Sequence, residues 1–399
     1  MRGICARSAR RSIGLLLIPT LLVLSACARP AWLGPSPGAI KSAETRADRH
    51  LQATEASLPL GRYPYFSHGA TWTTNSPSGW TAGFFPGELW LEYRRTGDAR
   101  FRAAAAERVA PIAAHPIGPD GTDIGMRYYY SAARGYEATG DKADRAAALR
   151  AARVEAAQFM PRVGALRSGP ASATCTVIVD ELMNLQLLFW SAEHGGPPEL
   201  KRIAHDHART VARDFVRPDG STYHAVVYDT ATGAVVSKTT RQGYAPDSTW
   251  ARSQAWAIYG LAEAYRATGD RELLSAARRC AAWYVAHLPA DAVPYWDFSA
   301  PGIPDAPRDT SAAAIAAAGL LELAPDDPNL VERARFVAAA RRTLASLTSP
   351  RYLARSDDAA VLTQGTLNWR QPDTIDVGLV FGDYFFLEAL LRLEGRSPS

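Results

Sequence analysis

Three phrases in the chain end alike: "WLEYRRTGD" at Asp98, "ARGYEATGD" at Asp141 and "LAEAYRATGD" at Asp270. Their glycines, Gly97, Gly140 and Gly269, are 43 and 129 residues apart, and the second interval is three times the first. Each phrase reads as an amphipathic helix closed by Thr-Gly-Asp. Glycine takes the left-handed C-cap without a Cβ penalty, and aspartate can cap the helix that follows. Alanine-rich runs such as "FRAAAAERVAPIAAH" and "RELLSAARRCAAWYVAHL" supply those following helices. A helix hairpin with this period buries its apolar face only by packing on its neighbours, either in an open solenoid or in a closed ring. Aromatic loops interrupt every unit, which favours closure. The expected fold is therefore all-α, an (α/α)6 barrel of helix hairpins forming one domain over residues 46–396.

The first residues belong to export rather than to this fold. Arg2, Arg7, Arg10 and Arg11 precede an apolar run that ends in "LSAC". A basic head, a short apolar core and small residues before a cut describe a secretory signal over residues 1–26. The run is shorter than the roughly 20 residues a spanning helix needs. With a cysteine directly after the cut, the segment resembles a bacterial lipoprotein signal with Cys27 as the lipidated residue. Residues 27–45, containing "ARPAWLGPSPG", read as a tether. The expected location is the periplasm, with membrane contact only through the lipid. The formal charge of +4 includes four arginines of the signal and no acid from it, so the mature chain is near neutral. No basic stripe remains to bind nucleic acid. Of four cysteines, Cys175 and Cys280 stay in the globule. They are able to pair in an oxidising compartment, although apolar surroundings favour plain buried thiols.

The stretch "CTVIVDELMNLQLLFW" poses a different question, because Asp180 stands inside an apolar run. Burying a carboxylate costs several kcal/mol unless it is paired, hydrogen-bonded or protonated. Read as a helix, its face includes Val177, Met183, Asn184 and Leu187, with Asn184 one turn away as a hydrogen-bond partner. The stretch offers no Arg or Lys. A dry carboxyl without a cation has a raised pKa, and a second carboxylate nearby raises it further, which suits a general acid. Asp123, in "GTDIGMRYYYSA", is a second candidate, with helix N-capping as its structural alternative. Trp90 and Trp190 lie in apolar helices and read as core. Trp80, Trp250, Trp256 and Trp369 lie beside polar turn residues and read as the walls of a sugar cleft, since a pyranose face stacks on aromatic planes.

At these residues the chain resembles a known family. "GWTAGFFPGELWLEYRRTGD", "TDIGMRYYYSAARGYEATGD", "TVIVDELMNLQLLFWSAEHG", "DSTWARSQAWAIYGLAEAYRATGD", "VPYWDFSAPGIPDAPRDTSAAAIAAAGLLEL" and "FGDYFFLEALLRL" are similar, in order, to blocks of the unsaturated glucuronyl hydrolases (glycoside hydrolase family 88). The resemblance implies an (α/α)6 barrel, no metal and no organic cofactor. It implies removal of the Δ4,5-unsaturated uronate that a polysaccharide lyase leaves at a non-reducing end. It also implies roles: Asp180 as acid and base, Asp123 as the second essential aspartate, and Trp80, His224, Gln242, Arg252 and Trp256 as the sugar subsite. Departures from the family pattern are Thr122, Phe85 and Arg241, together with a C-terminal "QGTLNWRQPDTIDVGL" lacking an expected His and Ser. Arg241, Asn368 and Arg370 are candidates to hold the substrate carboxylate instead.

Three other functions compete. A sister group on the same barrel removes unsaturated galacturonyl residues, and the "VIVDELMNLQLLFW" and "PYWDF" blocks favour the glucuronyl group over it. An epimerase would want several cleft histidines, whereas of eight histidines only His224 is well placed. A non-catalytic oligosaccharide-binding lipoprotein would use the aromatic cleft but has no need of Asp180.

Overall fold

Each Thr-Gly-Asp phrase is a helix-to-helix turn in the computed structural model, which describes residues 34–118, 121–170 and 172–398. Gly97, Gly140 and Gly269 have φ of 73°, 73° and 71°, the left-handed C-cap. Asp98, Asp141 and Asp270 then accept from the N–H groups of Arg100, Ala143 and Glu272 at 2.9, 2.7 and 2.9 Å. The threonine closes the motif: Thr96 Oγ1 donates to the Glu92 carbonyl and accepts from the Asp98 N–H. Thr139 and Thr268 repeat both bonds.

Thirteen α-helices appear among the described residues: α1 (Pro37–Ser57), α2 (Phe84–Thr96), α3 (Ala99–Ala114), α4 (Ile124–Tyr128), α5 (Arg134–Thr139), α6 (Lys142–Ala156) and α7 (Leu185–Glu193). The others are α8 (Glu199–Asp214), α9 (Ala251–Thr268), α10 (Arg271–His287), α11 (Thr310–Leu323), α12 (Leu330–Leu347) and α13 (Val380–Leu393). A π-turn over Tyr129–Ala133 fuses α4 and α5 into one helical rod. Six rods form an inner ring, α2, α4–α5, α7, α9, α11 and α13, each touching the next, and α13 returns to α2. Outer helices α1, α3, α6, α8, α10 and α12 alternate with them along the chain. The inner rods are buried almost all round, as their composition demands: α11 is "TSAAAIAAAGLLEL". A Cβ on its Gly319 would stand 2.9 Å from the backbone of Tyr259, so only glycine lets α9 and α11 approach this closely. The outer helices expose their charged faces.

Among the described residues, nine short strands occupy the connections that lead into inner helices. β1 (Tyr63–His68) and β2 (Thr71–Asn75) form a hairpin before α2 and join β9 (Ile375–Leu379) and β8 (Gly365–Thr366), which precede α13, in one sheet of order β2-β1-β9-β8. β3 (Phe159–Met160) pairs with β4 (Ala165–Leu166). β5 (Thr174–Ile178), β6 (Ala225–Asp229) and β7 (Val235–Thr239) form an antiparallel sheet leading into α7 and α9.

Two sequence expectations are corrected here. The segment expected as a tether to residue 45 is helical from Pro37 onward. Ser36 caps it by accepting from the Ala39 N–H, Pro37 fits the first helical turn, and Ala43, Glu44 and Ala47 are buried. Residues expected as helix before Asp180 form strand β5, because Thr174, Thr176, Val177 and Ile178 are β-branched and pair with β6. Cys175 and Cys280 are free buried thiols. The expected signal segment and Cys27 lie outside the described residues.

Candidate active site

At the end where the strands gather, a cleft of about 320 Å³ is lined by Tyr65, Trp80, Asp123, Met126, Ile178, Asp180, Arg241, Gln242, Trp256, Leu367, Asn368 and Gln371. Most precede an inner helix or fall in its first turns. Seven residues named from sequence, Trp80, Asp123, Asp180, Arg241, Gln242, Trp256 and Asn368, therefore meet in one place although 288 positions of chain separate the first from the last.

Asp180 is delivered by sheet pairing. Ile178 of β5 faces Ala225 of β6, and the next N–H, that of Val179, donates to the His224 carbonyl at 3.0 Å. This fixes Asp180, in the 3-10 turn Val179–Met183, beside the imidazole. His224 Nε2 lies 3.5 Å from Asp180 Oδ2, just beyond hydrogen-bond range. His224 Nδ1 accepts from the Arg241 N–H at 3.2 Å and contacts Thr240 Oγ1 at 3.1 Å. A backbone N–H can only donate, so the neutral ring carries its proton on Nε2, facing Asp180. The His224 side chain is 1% exposed, so it acts on Asp180 from behind rather than from the lining.

The dry setting expected for Asp180 is not what the fold provides. Its side chain is 16% exposed, because it opens onto the cleft, and Asn184 does not hold it. Asn184 instead donates to Glu181 Oε2 at 2.6 Å and accepts from the Met126 N–H at 2.9 Å. The carboxyl pushed upward is Asp123, to about 6, first by burial and then by the Asp180 charge. N-capping does not explain Asp123: it has φ 56° and makes no side-chain cap bond to α4. Behind it lies more acid. Glu155 accepts from the Gly125 N–H at 3.0 Å and is raised to about 8 by burial, while Glu181 is fully enclosed and raised by burial and by the Asp123 charge. Neither Glu155 nor Glu181 was found from sequence. An acid inside an otherwise apolar turn was their only local signal.

Trp80 and Trp256 wall the cleft and both pack on Phe381, with ring centroids 5.0 and 6.4 Å away. Gln242 Nε2 donates to the Leu367 carbonyl at 2.8 Å, tying one cleft loop to another. Arg252 does not reach the cleft. It is 2% exposed, and its guanidinium donates to Asp309 Oδ2 at 2.5 Å and to the carbonyls of Thr366 and Leu367. Its work is to hold the Leu367 loop, with Asp309 as its acid partner. Trp250 lies under His224 and beside Arg252, and Trp369 stacks on Trp296, so neither is a wall of the cleft. Tyr65, Met126, Leu367 and Gln371 are lining residues without a recognisable sequence signal.

A closed double ring of helices with two carboxyls in an aromatic-walled cleft defines a carbohydrate-active enzyme. Comparison with protein-family models gives no match. An unsaturated glucuronyl hydrolase from Bacillus sp. (strain GL1) is 38% identical over 344 residues, spanning 84% of this chain and 91% of that protein. One from Formosa agariphila is 38% identical over 321 residues, 78% of this chain and 79% of the other. Among solved structures, an unsaturated glucuronyl hydrolase specific for heparin superposes with a TM-score of 0.86 at 32% identity, covering 90% of this chain and 98% of the other. The chain belongs to the unsaturated glucuronyl hydrolase family and is a glycosidase with an (α/α)6 barrel.

Two stability predictions follow from the site's wiring. Arg252→Ala leaves Asp309 buried and unpaired, so urea unfolding should show a loss of about 3–5 kcal/mol. An equally stable variant with a raised KM would return Arg252 to the substrate. The second concerns pH. A carboxyl raised from 3.8 to about 6 by folding withholds stability as pH climbs through that window, since the folded state resists losing its proton. Asp123→Asn lacks this penalty. Its melting temperature relative to wild type should therefore rise between pH 4 and pH 6 and level off above; a flat difference would contradict the assignment.

Proposed function

We propose that this enzyme removes the Δ4,5-unsaturated glucuronate from the non-reducing end of lyase-generated oligosaccharides by hydrating the C4=C5 double bond. One observation carries the reading: Asp123 and Asp180 open into the same aromatic-walled cleft, and Asp123 takes part of its upward shift from Asp180. The unsaturated sugar is an enol ether, because its double bond carries the ring oxygen. Asp180 donates a proton to C4, leaving an oxocarbenium ion at C5. Water adds at C5 and gives its proton back to Asp180, now a carboxylate. The resulting hemiketal opens, and C1 becomes a hemiacetal that releases the next sugar with its hydroxyl. The net change is one water consumed. No nucleophile attacks C1, so the spacing of two carboxyls that separates retaining from inverting glycosidases has no bearing.

The two aspartates divide the work by environment. Asp180 faces the cleft and His224 Nε2. Asp123, neutral below about pH 6, holds sugar hydroxyls without adding a second negative charge. Trp80 and Trp256 supply the stacking surface, and Gln242 a hydrogen-bonding edge. The relatives' names support the glucuronyl substrate: they include unsaturated glucuronyl hydrolases and unsaturated chondroitin disaccharide hydrolases. The proposal also places the enzyme in the periplasm, held to membrane by a lipid on Cys27, on the strength of "LSAC" alone.

Asp180→Asn keeps shape and removes the transferable proton, so kcat should fall on the order of a hundredfold or more with KM nearly unchanged. In heavy-oxygen water the label should appear at C5 of the product. Label at C1 would mean ordinary glycoside hydrolysis and would end the hydration reading. For the anchor, cells fed labelled palmitate should tag wild type and not Cys27→Ser; equal labelling would remove the lipid.

A further inference from the structure

The proposed reaction obliges the cleft to accept an anion beside two aspartates, because every Δ4,5-uronate carries a carboxylate on C5. Among the described lining residues one side chain is a cation, Arg241. It is exposed, and no hydrogen bond, ion pair or aromatic ring among the described residues engages its guanidinium. The neighbouring arginines are committed elsewhere. Arg252 is buried against Asp309, and Arg370 lies over Trp369 and donates to the Gly243 carbonyl at 3.1 Å.

The backbone of Arg241 is tied to the reacting end of the cleft. Its N–H donates to His224 Nδ1 at 3.2 Å, and the opposite nitrogen of that ring is 3.5 Å from Asp180 Oδ2. The imidazole thus sets Asp180 and the root of Arg241 in one rigid relation. In the substrate, C4 and the carboxylate are both bonded to C5. A group near Asp180 is therefore well placed to hold the carboxylate while Asp180 addresses C4. A sulfate on the next sugar lies across the glycosidic bond, farther from that wall.

We infer that Arg241 binds the carboxylate of the unsaturated uronate through its guanidinium fork. A guanidinium matches a carboxylate with two parallel N–H···O bonds, and it offsets the repulsion from Asp123 and Asp180. The identity of the anion rests on the proposed reaction; the anion-binding role of Arg241 does not.

The test uses the full chain carrying Asp180→Asn, which binds without turnover, and an unsulfated unsaturated disaccharide in a calorimeter. Adding Arg241→Ala should weaken the Kd roughly ten- to a hundredfold, the range expected for a hydrogen bond between charged groups. Arg241→Lys should recover part of the loss, because it restores charge without the fork. The methyl ester of the same disaccharide should bind both forms alike. Equal affinity of the two forms for the charged sugar, or an equal loss for the ester, would overturn the proposal. A loss seen only with sulfated disaccharides would overturn it in favour of a contact to the next sugar. Turnover by the wild type, followed by loss of the conjugated absorbance, is read separately. Arg241-dependent binding without turnover would sink the hydration reaction and leave the anion site standing; turnover with Arg241-independent binding would do the reverse.

Discussion

Alternation between inner and outer helices decides where chemistry can sit in this molecule. Each hairpin sends an inner helix one way and returns through an outer helix, so the inner helices run parallel to one another and their N-terminal ends share one face. The Thr-Gly-Asp turns enforce this at Gly97, Gly140 and Gly269 by closing an inner helix and capping the outer one within three residues. Such turns are too short to carry a site. The return connections, from outer helix to next inner helix, are long and hold most of the strands. Asp123, Asp180, Gln242 and Leu367 all lie on return connections. The repeat that builds the barrel therefore also assigns one end to architecture and the other to function.

The acids behind the cleft show what that assignment costs. Asp123, Glu155 and Glu181 gather at one wall with no arginine bonded to any of them among the described residues; backbone N–H groups and Asn184 serve instead. Neutral donors satisfy a carboxyl's hydrogen bonds without cancelling its charge, and although the nearby Arg127 charge pulls Asp123 and Glu155 down, burial outweighs it and the protons are held more tightly. An arginine in the same place would have stabilised the fold and pinned the acids as anions. Arg252 and Asp309 show that the chain makes such a pair when rigidity is what the loop needs. Arginine pairs the acid that holds this loop, whereas the acids near the cleft are bonded by amides.

The same contrast explains what could be read from sequence. Helix ends were legible because capping is local: glycine and aspartate adjacent in the chain act within one turn. Asp180 was legible because its neighbours in sequence are also its neighbours in space on one side. What it meets on the other side, His224, comes from the residue just before a strand paired across a sheet, and the β-branched residues before Asp180 read as helix because the largely apolar run continues into α7. Arg252 shows the limit more sharply. Its nearest acid in sequence is Asp247, but its partner Asp309 stands 57 positions away, beyond any local pattern. The lining residues Tyr65, on strand β1, and Gln371, between β8 and β9, are far apart in the chain and share a site because β1 pairs with β9, which no local pattern announces.

Electrostatics then ties the substrate to the acid pair. Asp123 already holds its proton up to about pH 6 because it is desolvated and sits beside Asp180. A uronate entering the cleft brings another negative charge and displaces water, and both changes favour the protonated form of Asp123 still further. Binding the anion and keeping the proton on Asp123 are thus one linked equilibrium. That linkage requires the cleft to be poor in cations. With several arginines around it, the uronate would bind more tightly but would no longer push a proton onto Asp123. A single cation, reaching in from the rim, can hold the carboxylate at one end of the sugar and leave the field at C4 to the acids.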